Sequence, residues 1–268
     1  MRTKSSTRVF SAIAVLVVGL LAGAMSGANA DDVAAPTTSR IATVKTASAD
    51  RSGTDRVSAD TSRAPKPVNC AIHKCVALTY DDGPAGSTPA LLRTLAAKKA
   101  PATFFVLGQQ ATKYPATMRA IRNAGHEIGV HTWDHANLTK LSSASVTSEL
   151  DRSIAAVRQT TGQRTTLMRP PYGATNQTVR SVEGRLGLAE ILWSVDPQDW
   201  KDRNTATVTQ RVLAAAKPGA IVLMHDIHPT TVAAAPAIID GLRKRGYRLV
   251  TVSQLLGKPT PGRTYSSR

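Results

Sequence analysis

Aromatic residues make up only 4% of the 268-residue chain, and no stretch interleaves them with Arg or Lys. That absence removes the stacking platform on which single-stranded nucleic acid is held. Cysteine is scarcer still. Cys70 and Cys75 are the only two, and they form neither a CxxC redox pair nor part of a metal-ligand cluster. Acidic charge is also thin: 18 Asp and Glu stand against 34 Lys and Arg, a formal net charge of +16. Charge alone would admit nucleic acid as a partner, but the missing aromatics and an export pattern at the N-terminus argue for none. An anionic cell envelope is the functional reading of the basic surface. Plain solubility is the bland one.

The export pattern is local. Arg2, Lys4 and Arg8 precede an apolar run from Val9 to Ala24, and Ala28-Asn29-Ala30 stands before Asp31. Residues 1–30 therefore read as a signal peptide cleaved after Ala30, with a retained membrane anchor as the alternative. The product is expected outside a bacterial cell, free or associated with its wall. In that oxidising setting Cys70 and Cys75 are expected to pair if their geometry allows. Residues 31–65 are rich in Ser, Thr, Ala and Asp and contain no aromatic residue. Such a segment buries too little apolar surface to offset its chain entropy and reads as a flexible linker.

From Cys75 onward short apolar runs alternate with longer amphipathic ones. Strands are expected at 75–80, 102–107, 127–130, 167–168, 189–195, 219–224 and 247–250. Helices are expected at 89–99, 114–124, 144–160, 179–186, 205–216 and 236–245. The clearest helix, 144–160, carries Val146, Leu150, Ile154 and Val157 at helical spacing. Alternation of this kind predicts an α/β fold, a distorted (β/α) barrel of about seven parallel strands, with an open doubly wound sheet as runner-up. The folded domain is placed at 66–257, followed by a polar tail at 258–268.

The chemical signal is where the polar residues fall. Four strands run into Asp81 and Asp82, His131, Asp196, and His225, the edge at which parallel α/β folds build their sites. His131 and His135 are four positions apart and on one helical turn would face one metal ion. A carboxylate from Asp81 or Asp82 would complete a two-histidine, one-carboxylate set. Because side chains alternate along extended backbone, the other aspartate is left to act as a base. Read blandly, the aspartates make an Asx-turn before Gly83-Pro84 and the histidines hydrogen-bond at the surface. His225 leaves a dry strand for the rim, where an imidazole can protonate a leaving amine. Arg169, before Pro170 and Pro171, suits holding a carboxylate in one geometry. His228 is left unassigned.

Together these residues resemble the polysaccharide deacetylase family, also called the NodB-homology domain or carbohydrate esterase family four. Its five segments appear in order: Thr79-Tyr80-Asp81-Asp82-Gly83-Pro84, His131-Thr132-Trp133-Asp134-His135, Arg169-Pro170-Pro171-Tyr172-Gly173, Asp196-Pro197-Gln198-Asp199-Trp200 and Leu223-Met224-His225-Asp226. The resemblance implies Asp82, His131 and His135 as ligands of one divalent ion, most often zinc, with cobalt or another ion able to serve. It implies Asp81 as general base tethered by Arg169, and His225 as general acid oriented by Asp199. The backbone N–H of Tyr172 is implied as an oxyanion donor, with Trp200 and Leu223 as apolar walls for the acetyl methyl. Tyr80 departs from the family's commoner phenylalanine, adding a hydroxyl that needs a partner if buried.

What the resemblance implies is N-deacetylation of N-acetylglucosamine residues in peptidoglycan, chitin or chitooligosaccharides, with the N-acetylated glycan as partner; the chain is expected to act as a monomer. The nearest rival is an acetylxylan esterase. A rival of another class is a glycan-binding wall protein without turnover.

Overall fold

The structure is a computed structural model and describes residues 68–268. The expected signal peptide and linker lie outside the described residues. Seven parallel strands appear where the sequence places them: β1 Cys75–Asp81, β2 Thr103–Val106, β3 Glu127–Val130, β4 Leu167–Met168, β5 Ala189–Ile191, β6 Ala220–Val222 and β7 Arg248–Val250. The path through the sheet runs β6-β1-β2-β3-β4-β5, and β7 pairs with β1. β1 meets β7 through Cys75–Ala77 and β2 through Thr79–Asp81, so the sheet is curled and open, a distorted half-barrel. A bridge from Val195 to Val222 draws the chain after β5 toward β6.

Strand periodicity sorts the core into two parts. Val76, Leu78 and Tyr80 face the helix layer, whereas Cys75, Ala77, Phe105, Leu167, Ile191 and Ile221 pack inside the curl. The helices are α1 Thr88–Ala97, α2 Gly108–Lys113, α3 Pro115–Asn123, α4 Ser143–Thr161, α5 Gln177–Leu186, α6 Asp199–Asp202, α7 Thr205–Ala215, α8 Pro229–Lys244 and α9 Val252–Leu256. The Ser142 side chain caps the start of α4, and Gly162 ends it at φ 72°, a conformation glycine adopts without a Cβ penalty. Its Val146, Leu150 and Val157 are fully buried, each contributing about 1.5–3 kcal/mol of apolar burial.

Several elements differ from expectation: β5 ends at Ile191 rather than at 195, β6 is shorter at both ends, and α2, α6 and α9 form where no helix is expected. α8 begins at Pro229 rather than Pro236, and Pro236 sits inside it. Its apolar face, Val232, Ala235, Ile238, Ile239 and Leu242, spans the proline, and tertiary packing outweighs the lost helix bond. The polar tail is also ordered: Thr264–Tyr265 forms β8, paired with β5, and the Arg268 N–H donates to the Gly219 carbonyl at 3.0 Å. Two residues give no periodic signal, so this strand could not be read from its own sequence. Cys70 and Cys75 are disulfide-bonded.

A carboxylate pair lies buried where β8 docks. Glu183 on α5 and Glu190 on β5 are both fully buried, and Thr264 Oγ1 donates to Glu190 at 2.6 Å. Burial, and then the Glu190 charge and hydrogen bond, push Glu183 up to about 9, with Arg180 opposing. Between its ordinary value of 4.5 and about 9, the folded protein keeps a proton that the unfolded chain has released. Stability contributed by this group is therefore full below pH 4.5 and is lost as pH rises through that window. The Glu183→Gln variant should lose less melting temperature than the parent between pH 5 and pH 9, at about 2–4 °C per kcal/mol for a domain of this size. Parallel pH–stability curves for the two proteins would refute the assignment.

Candidate active site

The C-terminal ends of β1, β3, β4 and β6 bring Asp81, His131, Arg169 and His225 to one rim. Asp81 closes β1, and its N–H donates to the Met224 carbonyl at 2.8 Å, tying the ends of β1 and β6 together. Asp82 then turns through φ 72°, which carries its side chain away from that of Asp81. The histidine pair does not sit on a helical turn. Thr132 and His135 adopt φ of 68° and 71°, and the His135 N–H donates to Thr132 Oγ1 at 3.0 Å. The loop is held from outside: Gly108 and Gln109 N–H groups donate to the carbonyls of Thr132 and Trp133. Hydrogen bonding of this loop, rather than helical periodicity, makes the imidazoles converge.

Nε2 of His131 and Nε2 of His135 each lie 3.5 Å from Asp82 Oδ1, and these three atoms lie within 4.8 Å of one another. Asp82 Oδ1 is buried without a hydrogen-bond partner. His131 Nδ1 lies 2.6 Å from the Arg169 carbonyl; that acceptor keeps the proton on Nδ1 and leaves the Nε2 lone pair free. Burial lowers the His131 pKa to about 3, so its ring is neutral. The Nε2 atoms of His131 and His135 and an orphaned carboxylate oxygen are a donor set that fits a divalent cation.

Tyr172 enters this cluster in a way the sequence does not disclose. It sits at φ 63°, 69% exposed, with its hydroxyl 3.0 Å from His135 Nδ1. The phenol therefore orients one histidine as the Arg169 carbonyl orients the other. Outer partners of this kind are typically worth about 10–100-fold in metal affinity. Tyr172→Phe, which keeps the backbone N–H, should weaken binding of a divalent ion about tenfold in a chelator competition assay. Unchanged affinity would show that the hydroxyl plays no such part.

Asp81 and Arg169 form the second feature. Arg169 is fully buried and Asp81 is 1% exposed. Arg169 Nη1 donates to Asp81 Oδ1 at 2.8 Å and to Thr79 Oγ1 at 2.7 Å. Its Nε and Nη2 donate to the carbonyls of Ile191 and Leu192 at 3.0 Å, and the guanidinium lies 4.2 Å over the Phe105 ring. The arginine is thus fixed from the interior of the curl, beyond any stiffening by Pro170 and Pro171. Burial raises the Asp81 pKa, while Arg169 and His225 lower it, and the net direction is upward. The carboxylate is held in place and made more basic, which serves a proton acceptor.

His225 and Asp199 form the third. Asp199 Oδ1 lies 2.8 Å from His225 Nδ1, while Oδ2 accepts from the His225 N–H at 2.8 Å and from Thr231 Oγ1 at 2.7 Å. Burial would raise the Asp199 carboxyl, but these bonds outweigh it and the net shift is downward. Burial alone would lower the His225 pKa; the Asp199 hydrogen bond and charge, with Asp81 and Asp82, carry it up to about 9. The imidazole is cationic at neutral pH. Asp196, expected at the rim, is exposed and accepts from the Gln198 N–H at 2.7 Å. Its short side chain closes the turn that presents Asp199.

Leu223 is buried, and Trp200 is 48% exposed on α6. His228 stands just before α8, its ring 6.0 Å from that of His225, outside the metal-ligand cluster. Thr79 and Thr231 are polar contacts outside the expected site residues. Thr79 offered one signal, a polar side chain at alternate spacing to Asp81 on an otherwise apolar strand. Thr231, on a helix start far along the chain, offered none.

Comparison with known proteins agrees with this geometry. A sequence profile described as polysaccharide deacetylase matches residues 69–191. The chain is 44% identical over 197 residues to the peptidoglycan-N-acetylglucosamine deacetylase PgdA of Listeria monocytogenes, covering 73% of this chain and 42% of that protein. It therefore spans about two-fifths of that relative's length. It is 36% identical to a chitooligosaccharide deacetylase of Bradyrhizobium, covering 68% of this chain and 90% of that one. Among solved structures, a T48 deacetylase with substrate superposes with a TM-score of 0.72 at 41% identity, covering 74% of this chain and all of that one.

Proposed function

This chain belongs to the polysaccharide deacetylase family, and we propose that it is an exported, zinc-dependent hydrolase that removes the acetyl group from N-acetylglucosamine residues, with peptidoglycan as its glycan. The observation that carries this reading is one rim holding the Asp82–His131–His135 cluster, the Asp81–Arg169 pair and the His225–Asp199 pair. Two of the similar proteins, from Listeria and Bradyrhizobium, have names that specify deacetylation of N-acetylated glycans. The export pattern at residues 1–30 and the basic surface favour a wall polymer. The basic surface also fits electrostatic association with an anionic envelope.

When bound, the ion would supply Lewis-acid activation of the attacking water and the acetamide carbonyl. Asp81 accepts a proton from that water as it adds to the carbonyl carbon. Arg169 keeps the carboxylate pointed at the site throughout. The Tyr172 N–H donates to the oxygen that becomes negative, a contact worth about 3 kcal/mol in such transition states. His225 gives its proton to the nitrogen as the C–N bond breaks, releasing acetate and a glucosamine amine. Leu223 and Trp200 line the methyl side.

The test is acetate release from peptidoglycan, chitooligosaccharides and acetylxylan by metal-free protein reconstituted with one divalent ion at a time. Release from peptidoglycan with Zn2+ is expected. Release from acetylxylan alone would replace the reading with an esterase, and silence on every substrate would leave a glycan-binding protein. Sequencing of the exported product should find Asp31 as its first residue.

A further inference from the structure

One buried carboxylate at the rim takes no part in the chemistry above. Asp226 follows His225, is fully buried, and its carboxylate meets the segment after β1 at Gly83 and Thr88. Its carboxylate Oδ2 accepts from Thr88 Oγ1 at the start of α1. Thr88 Oγ1 in turn accepts from the Ala85 N–H at 2.8 Å. The Asp226 carbonyl accepts from Ser87 Oγ. Its carboxylate also abuts Gly83: a methyl group built on Gly83 would fall inside contact distance of both oxygens. Gly83 is not in the left-handed region, so this contact, not backbone conformation, is what demands glycine there.

We propose that Asp226 is a positioning residue that sets the distance between the two halves of the site. On one side it is covalently next to His225. On the other it holds the Gly83–Thr88 segment and, through it, the turn that presents Asp81 and Asp82. Asp82 has a left-handed backbone, a conformation disfavoured for residues with a side chain. The Asp226 clamp is what keeps that turn pressed onto the histidines. The role depends on shape and on accepting from Thr88, so an amide should fill it. This inference rests on the assignment of Asp82, His131 and His135 as ligands.

The experiment is a Co2+ titration of metal-free full-length protein against a chromogenic chelator, with melting curves recorded alongside. Asp226→Ala should weaken binding about tenfold, and Asp226→Asn should bind within about threefold of the parent. Gly83→Ala should weaken binding more than either. The double variant Gly83→Ala, Asp226→Ala should bind more tightly than Gly83→Ala alone, because removing the carboxylate makes room for the methyl. A merely structural role would lower melting temperatures without this recovery of affinity. If Asp226→Ala does not fold, Thr88→Val removes the donor to the same carboxylate and gives the same comparison. Parent-like affinity in Asp226→Ala or in Thr88→Val, or a double variant no better than Gly83→Ala, would overturn the proposal. A parent protein that binds no Co2+ would instead remove the metal assignment itself.

Discussion

Asp81→Asn should release acetate at least about a thousandfold more slowly than the parent while binding its divalent ion with similar affinity. Asparagine has the size of aspartate and cannot accept the proton of the attacking water. Arg169 keeps its donations to Thr79, Ile191 and Leu192, so its position survives the change. What it loses is its counter-charge. Breaking a buried ion pair from one side typically costs about 3–5 kcal/mol, so stability should be measured in the same preparation. Metal binding tests the division of labour between the adjacent aspartates. Loss of both binding and turnover would mean that Asp81 is a ligand, and undiminished turnover would mean that the base lies elsewhere.

His225→Ala should separate amides from esters. An amine is a poor leaving group unless its nitrogen is protonated as the bond breaks, whereas a phenolate leaves without help. The variant should lose about a hundredfold or more of its rate on N-acetylated glycan and far less on an aryl acetate. Equal losses on both substrates would remove His225 from the acid role. The parent's pH profile carries the same information. A general acid must hold its proton, and His225 holds it up to about 9, so turnover should fall as pH rises through that value. Asp199→Asn removes the charge that sustains the imidazolium and should move this alkaline limb to lower pH. A limb that stays in place would mean that another group titrates there.

Much of the fold and of the candidate site is legible in the sequence. Most of the seven strands announce themselves as apolar runs of three residues or more; the two-residue Leu167–Met168 is marked instead by the rigid Arg169-Pro170-Pro171 segment after it. Four of the seven run into polar residues at the rim. Asp81, Asp82, His131 and His225 stand out in the sequence by that contrast alone. The turn at Pro170-Pro171 marks Arg169 as a holder of a carboxylate. That this carboxylate is Asp81, and the roles of Asp199 and the Tyr172 backbone, come only from resemblance to a family, since nothing local says what a guanidinium thirty-eight residues beyond His131 will meet. Asp196 shows the limit of the positional rule. A carboxylate after a strand can reach the rim or close a turn, and the two are identical in sequence.

What the sequence by itself determined is the chemistry available and the edge on which it gathers, because residue type and alternation along a strand are properties of neighbours. Only the tertiary structure decided that the histidines converge through a left-handed loop rather than a helix. It alone revealed that the Tyr172 hydroxyl orients His135, that Asp226 leans on Gly83, and that Thr264–Tyr265 completes the sheet. Each of these depends on atoms brought together from distant parts of the chain, where packing and mutual hydrogen bonding outweigh local preference.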